Sequence, residues 1–235
     1  MKSNPKWQYN EMKQVGVDYT DVSEVEAYDL CMKKLRNIQK ETEEIVNSVG
    51  LTRNQVLLEF GTGTGELAIE VAKQCAKVIA ADVSSTMLEY AKQKAENQGI
   101  GNIEYCHAGF LTYEHCGEPL DVVVSQLTLH HLPDFWKLVA LKRINSILKK
   151  GGKFYLRDTV YSFDIENYKE FFNAWLGGIK QVAGEELAKD TEIAISDEFS
   201  TCDWIMEGLI KRAGFKIERM DYYEGFLAVF VCIKT

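Results

Sequence analysis

Short, almost wholly apolar stretches alternate with amphipathic stretches along the middle of this chain. "QVLLEF" at 55–60 is continuously apolar apart from its Gln and Glu, and 67–76 then repeats its apolar positions at helical spacing. "KVIAAD" is a second such strand, after which Ser84 is placed to cap a helix running to about Gln98. "NIEYCHA" and "DVVVSQ" predict two more strands, 133–150 a helix, and "GGKFYLRDTV" a fifth strand. Strands that are apolar on both sides are buried on both faces. This alternation therefore predicts an α/β fold with a parallel sheet and helices on both faces.

The chain's last part breaks the alternation. A helix near 202–213 precedes "FKIERMDYY", which alternates apolar and polar positions as an edge strand does. Glu224-Gly225 then turns the chain into "FLAVFVCI", continuously apolar and so expected inside the sheet, antiparallel to its partner. Upstream, Cys31, Leu35, Ile38, Ile45, Val46 and Val49 recur at helical spacing until Gly50, and the first ~20 residues, lacking a period, are expected to form a mobile arm. Residues 161–200 fit no strand. Tyr168, Phe172, Trp175 and Ile179 form a helical apolar stripe there, which Gly177-Gly178 and Gly184 are expected to interrupt, and a second helix is expected near 185–195. A connection this long reads as a cap. The expected organisation is residues 1–50 as arm and helix covering the active site, 51–160 with 201–235 as the ligand-binding core, and 161–200 as a helical insertion acting as substrate lid.

Charge and cysteine content narrow the partners. A formal net charge of −8 argues against sequence-independent binding to nucleic acid. The six cysteines form no C-x-x-C pair and read as reduced thiols. The beginning lacks a signal-peptide apolar region, and no apolar run approaches the ~20 residues that span a bilayer. The expectation is a soluble, cytoplasmic protein without a membrane partner.

Gly61, Gly63 and Gly65 directly follow the first strand, and Glu66 starts a helix. Glycine tolerates positive φ and lets a backbone approach a ligand closely. A dinucleotide fingerprint wants a third glycine where this chain has Glu66, an acid that would repel a pyrophosphate. A cofactor with one carboxylate and a sulfonium suits the E-x-G-x-G-x-G run from Glu59 better. Asp82, ending the second strand, is placed to bind ribose hydroxyls or to cap the next helix.

The segments "LLEFGTGTGELA", "IAADVSSTMLEYAKQKA", "DVVVSQLTLHHLPD" and "LKKGGKFYLRD", covering about 56–158 in order, resemble the class I S-adenosylmethionine-dependent methyltransferases. The likeness is to the small-molecule type, similar to the ubiquinone/menaquinone-biosynthesis C-methyltransferases, and "IKRAGF" resembles the segment before that family's terminal hairpin. It implies a Rossmann-like seven-stranded sheet of order 3-2-1-4-5-7-6 with the last strand antiparallel. It also implies S-adenosyl-L-methionine as cofactor, S-adenosyl-L-homocysteine as product, and a small-molecule acceptor methylated by in-line displacement. Glu59, Gly61, Thr62, Gly63 and Gly65 would line the methionine part, Asp82 would hold the ribose, and Val83 and Met87 would pack near the adenine. Gly109 and Phe110 match the adenine-edge position, where the family often has an Asp. Gln126 would lie beside the reactive centre, with Tyr19 and Tyr28 as aromatics over the cofactor.

His130 and His131 in "TLHHLPDF" lie just past the fourth strand, at the mouth where open α/β sheets bind ligands, and imidazole suits proton removal from an acceptor. Asp158 and Tyr161 follow the fifth strand at the same rim and complete the candidate catalytic set; Arg157 would pair with an anionic substrate or a surface acid. Cys106, His107, His115 and Cys116 match no zinc template, so no metal is expected. Three alternatives remain: a methyltransferase acting on protein or RNA, a non-catalytic cofactor-binding subunit, and a nicotinamide oxidoreductase. A monomer or homodimer is expected.

Overall fold

The computed structural model describes residues 5–13, 15–16 and 36–235. Strands β1 (Val56–Phe60), β2 (Lys77–Asp82), β3 (Ile103–His107), β4 (Leu120–Gln126) and β5 (Leu148–Tyr161) run parallel. The two-residue β6 (Thr201–Cys202) pairs with the end of β5, and β7 (Phe215–Tyr223) and β8 (Leu227–Lys234) close the chain. The sheet order is β3-β2-β1-β4-β5-β8-β7, with β8 antiparallel to both neighbours. Once the short β6 is set aside, this is the Rossmann-like order expected from the sequence.

Burial explains why the apolar runs carry no alternation. Leu57 and Leu58 are adjacent, point to opposite faces and are both fully buried. On one face Leu57, Val124 and Tyr155 pack with Ile45 of α1 (Ile38–Val49) and Leu67 and Val71 of α2 (Glu66–Ala72). On the other, Leu58, Val123 and Phe154 pack with Leu141 and Ile144 of α4 (Asp134–Ile147) and Ile210 of α7 (Asp203–Arg212). Each such side chain removed from water contributes about 1.5–3 kcal/mol. Helix α3 (Ser85–Asn97) starts where Ser84 accepts a hydrogen bond from the Met87 N–H.

Three boundaries differ from expectation. The helix expected over 67–76 ends at Ala72, where a turn leads into Lys77, which pairs with Val56 at the start of β2. The helix expected over 133–150 stops at Ile147, because Leu148 already pairs with Leu120 across β4 and β5. In the insertion, α5 (Tyr168–Ala183) runs straight through Gly177-Gly178 and breaks only at Gly184, before α6 (Glu185–Asp197). No residue of either helix is buried. Instead the aromatic stripe of α5 meets the end of the β7–β8 hairpin, where Trp175 stacks on Phe226 with centroids 4.1 Å apart, and the segment after β5, where Phe171 stacks on Phe163 at 3.8 Å.

The described part of the N-terminal arm is docked rather than free. Tyr9 lies against Trp136 and Phe199 and donates its hydroxyl to the His131 carbonyl at 3.1 Å. The expected helical positions Cys31 and Leu35 lie outside the described residues, as do Tyr19 and Tyr28.

Candidate functional site

The carboxyl ends of β1, β2, β4 and β5 open into one cavity of about 930 Å³. Gly61 and Gly63 shape its floor. Gly61 has φ +72°, and a Cβ there would stand 2.0 Å from Thr128 Oγ1, so no side chain fits. Gly63 has φ +53°, and no atom lies within 4 Å of the place its Cβ would take, which leaves bare backbone in the cavity. Its N–H donates to Asp82 Oδ2 at 2.8 Å, and the Ser84 N–H donates to Asp82 Oδ1 at 2.8 Å. Asp82 thereby ties the turn after β1 to the turn after β2. Burial pushes its carboxyl up, against the pull of these N–H groups.

Glu59 is 3% exposed and accepts a hydrogen bond from Thr62 Oγ1 at 2.8 Å. Burial raises its pKa to about 7; the Thr62 hydroxyl opposes that rise and the Asp82 charge adds to it. Glu66 also lines the cavity and pairs with Lys94 at 2.7 Å. Gln126 lines the cavity too, and its buried Oε1 has no hydrogen-bond partner among the described residues. A cradle of bare backbone, two buried acids and an orphaned amide oxygen fit a polar, cationic ligand.

Beside Gly109 the acid comes from far upstream. The Glu11 carboxylate accepts from the Leu111 N–H at 2.8 Å and from Thr112 Oγ1 at 2.7 Å. A Cβ on Gly109 would lie 2.5 Å from the Glu11 carboxyl carbon. Phe110 packs on Phe60, with centroids 4.7 Å apart.

The rim after β4 and β5 is an ionic cluster. Asp158 is fully buried; its Oδ1 contacts His130 Nδ1 and accepts the Thr159 N–H at 2.8 Å, while its Oδ2 accepts the His130 N–H at 3.1 Å. The other side of the His130 ring faces Glu198, Nε2 to Oε2 at 3.2 Å. Burial opposes a charged imidazole, but the two carboxylates outweigh it and raise His130 to about 10. His131 is lowered to about 4, by burial first and by the neighbouring His130 charge second. At neutral pH His130 is thus the cation and His131 the neutral ring. Tyr161 lines the same space, edge-on to Phe172 at 5.4 Å.

Glu59, Gly61, Thr62, Gly63, Asp82, Val83, Met87, Gly109, Phe110, Gln126, His130, His131 and Tyr161 therefore share one cavity. Gly65 stands behind it, where a Cβ would meet Ala91 at 2.8 Å, and Asp158 stands behind His130. Arg157 lines the cavity and pairs with Glu41 at 2.8 Å. His107 and His115 do not converge: His107 Nε2 meets the Val83 carbonyl at 2.9 Å, and His115 Nε2 the Glu118 carbonyl at 2.8 Å. Glu11, Arg36 and Glu198 line the cavity without a signal in the sequence.

Comparison with known proteins places this geometry. Residues 57–152 match the model of a family described as "Methyltransferase domain". An uncharacterized methyltransferase of Anoxybacillus flavithermus is 28% identical over 209 residues, covering 86% of this chain and 92% of that protein. A ubiquinone/menaquinone biosynthesis C-methyltransferase of Klebsiella pneumoniae is 27% identical, covering 76% of this chain and 72% of its own length. In fold, the crystal structure of a SAM-dependent methyltransferase from Aquifex aeolicus superposes with a TM-score of 0.65 at 17% identity, covering 92% of this chain and 99% of that one.

Proposed function

Because this chain belongs to the class I S-adenosylmethionine-dependent methyltransferases, we propose that it methylates a small molecule with an apolar, aromatic body, held beneath helices α5 and α6. One observation carries this reading. The cavity is polar where Glu59, Gly63 and Asp82 meet and aromatic where Phe171, Trp175 and Phe226 line it. Its volume of about 930 Å³ lies at the upper end of small-molecule sites, as a pocket for two ligands should. The name of the Klebsiella pneumoniae relative, a quinone-pathway C-methyltransferase, supports the same acceptor class.

When bound, S-adenosylmethionine supplies a methyl group already activated on a sulfonium. The residues around it then bind, align and exclude water. Glu59 would hold the ammonium end, Asp82 the ribose, Val83, Met87, Gly109 and Phe110 the adenine, and Gln126 Oε1 would face the reactive end. Gly61, Thr62 and Gly65 set the backbone path between them. His131, neutral and half-exposed, is the candidate proton acceptor on the rim; Asp158 fixes His130 beside it, and Tyr161 borders the acceptor. The α5–α6 insertion and the docked arm around Tyr9 and Glu11 cover the site. Orientation of this kind supplies about 7–11 kcal/mol of a reaction barrier. Calorimetric titration with S-adenosylmethionine, followed by detection of S-adenosylhomocysteine with aromatic hydroxyl acceptors, tests the proposal. No binding heat at millimolar cofactor would refute it.

Two outcomes follow from the cavity's ends. Glu59 has a pKa of about 7 in the free protein, and an ammonium partner favours its ionised form. Cofactor affinity is therefore steady above pH 7 and falls about tenfold per unit below it, because a proton must be released on binding. Calorimetry across about pH 5.5–8 reads this slope, and Glu59→Gln should bind weakly and without it. At the other end, Trp175→Ala removes the ring stacked on Phe226. Its expected effect is a rise of about tenfold in acceptor KM with cofactor Kd unchanged, read from initial rates.

A further inference from the structure

We propose that His130, His131 and Glu198 form a binding site for one divalent transition-metal ion at the acceptor end of the cavity. Glu198 spans both imidazoles: its Oε2 lies 3.2 Å from His130 Nε2 and its Oε1 lies 3.6 Å from His131 Nδ1. One ligand atom from each of the three residues falls within 4.8 Å of the others. Ligands about 2.1 Å from a tetrahedral ion stand roughly 3.4 Å apart, so each imidazole nitrogen already stands near ligand spacing from one of the two Glu198 oxygens, and a carboxylate that binds through both serves both rings.

The surroundings are those of a coordination site. Metal-bound histidines generally give their second nitrogen to a carboxylate or a backbone carbonyl, which fixes the ring and its tautomer. Asp158 performs this for His130, from a fully buried position, and the ion takes the place of the Nε2 proton that His130 otherwise directs at Glu198, releasing it to solvent. The His131 ring is hydrogen-bonded to the Val15 backbone. Glu198 is held in place by its neighbour, since the Phe199 N–H donates to the His130 carbonyl at 2.9 Å. Gly16 gives the carboxylate room: a Cβ there would stand 2.3 Å from Glu198 Oε1.

All three ligand residues line the cavity, so an ion bound to them keeps open positions toward the acceptor, as catalytic metal sites do. Two imidazoles and one carboxylate suit Zn²⁺, Fe²⁺, Mn²⁺ or Co²⁺, whereas Mg²⁺ prefers oxygen ligands. The ion's role rests on the methyltransferase reading: with the ion bound, His131 serves as its ligand in place of accepting a proton, and the ion would hold a hydroxyl or carbonyl oxygen of the acceptor and orient the accepting atom. Acceptors with an oxygen donor next to that atom are then preferred over their deoxy analogues.

The test uses the full chain, stripped with chelator and titrated with Co²⁺, whose visible absorption reports the ligand field. One Co²⁺ per chain is expected, displaced by one Zn²⁺. His131→Ala and Glu198→Gln should each weaken binding by about 100-fold, and Asp158→Asn by about 10–100-fold. Cys116→Ser, which changes an exposed thiol, should leave binding unchanged. Circular dichroism and S-adenosylmethionine calorimetry on the same samples separate misfolding and cofactor loss from metal loss. A folded chain that binds S-adenosylmethionine but takes up no Co²⁺ overturns the metal site and leaves the methyltransferase reading standing. Uptake that survives both His131→Ala and Glu198→Gln overturns it as well. Stoichiometric Co²⁺ without cofactor binding upholds the site and removes its assigned role.

Discussion

Asp82→Ala is expected to weaken S-adenosylmethionine binding by about 10²–10⁴-fold. The carboxylate holds two backbone N–H groups, from Gly63 and Ser84, at 2.8 Å each. A ribose diol would use its remaining lone pairs. Hydrogen bonds to a charged group contribute about 1.5–3 kcal/mol each, so losing two from the ligand alone costs a factor of this size. Loss of the tie between the two turns adds to it, because Gly63 has no side chain to hold its own position. Asp82→Asn keeps one oxygen acceptor but turns its NH₂ toward the other backbone N–H, so it should also bind more weakly, though less so than the alanine variant. Calorimetry with S-adenosylmethionine and with S-adenosylhomocysteine reads both variants. A change below threefold for the alanine variant would remove the ribose assignment.

The sheet was legible because its signal is local. β7 is largely exposed where it lies on the edge and β8 largely buried where it lies inside, so the apolar content of the two strands ordered the hairpin. Ser84 announced its cap, and Gly61 and Gly63 their backbone conformations, because each depends on its own neighbours in sequence. Gly177-Gly178 misled for the opposite reason. A helical glycine costs about 1 kcal/mol relative to alanine, and contacts such as Trp175 on Phe226, from a distant hairpin, offset that cost. The rim was half legible. His130, His131, Asp158 and Tyr161 sit at strand ends and could be placed there by counting strands. Glu198 arrives only because Thr201 pairs with Val160 and the Phe199 N–H finds the His130 carbonyl, contacts that no spacing rule encodes. Glu11 is hidden in the same way: it meets Leu111 and Thr112 only after the arm docks.

The second large effect falls on stability rather than binding. Asp158→Ala leaves the buried His130 imidazolium with Glu198 as its remaining carboxylate and strips an acceptor from the N–H groups of His130 and Thr159. Breaking a buried ion pair from one side costs about 3–5 kcal/mol, because the stranded charge stays desolvated. For a chain of this length each kcal/mol shifts Tm by about 2–4 °C, so a fall of roughly 6–20 °C is expected in chelator-treated protein. The sign with pH is fixed by His130, whose pKa rises from 6.5 to about 10 on folding. A raised cation contributes stability that is fully present below pH 6.5 and is lost as pH climbs through about 10. The gap between wild type and variant should therefore be widest at and below pH 6.5 and narrow steadily toward pH 10. Denaturant unfolding across that range measures it. A gap independent of pH would mean that Asp158 acts through its backbone hydrogen bonds alone, and the charged rim that positions His131 for the acceptor would have to be abandoned.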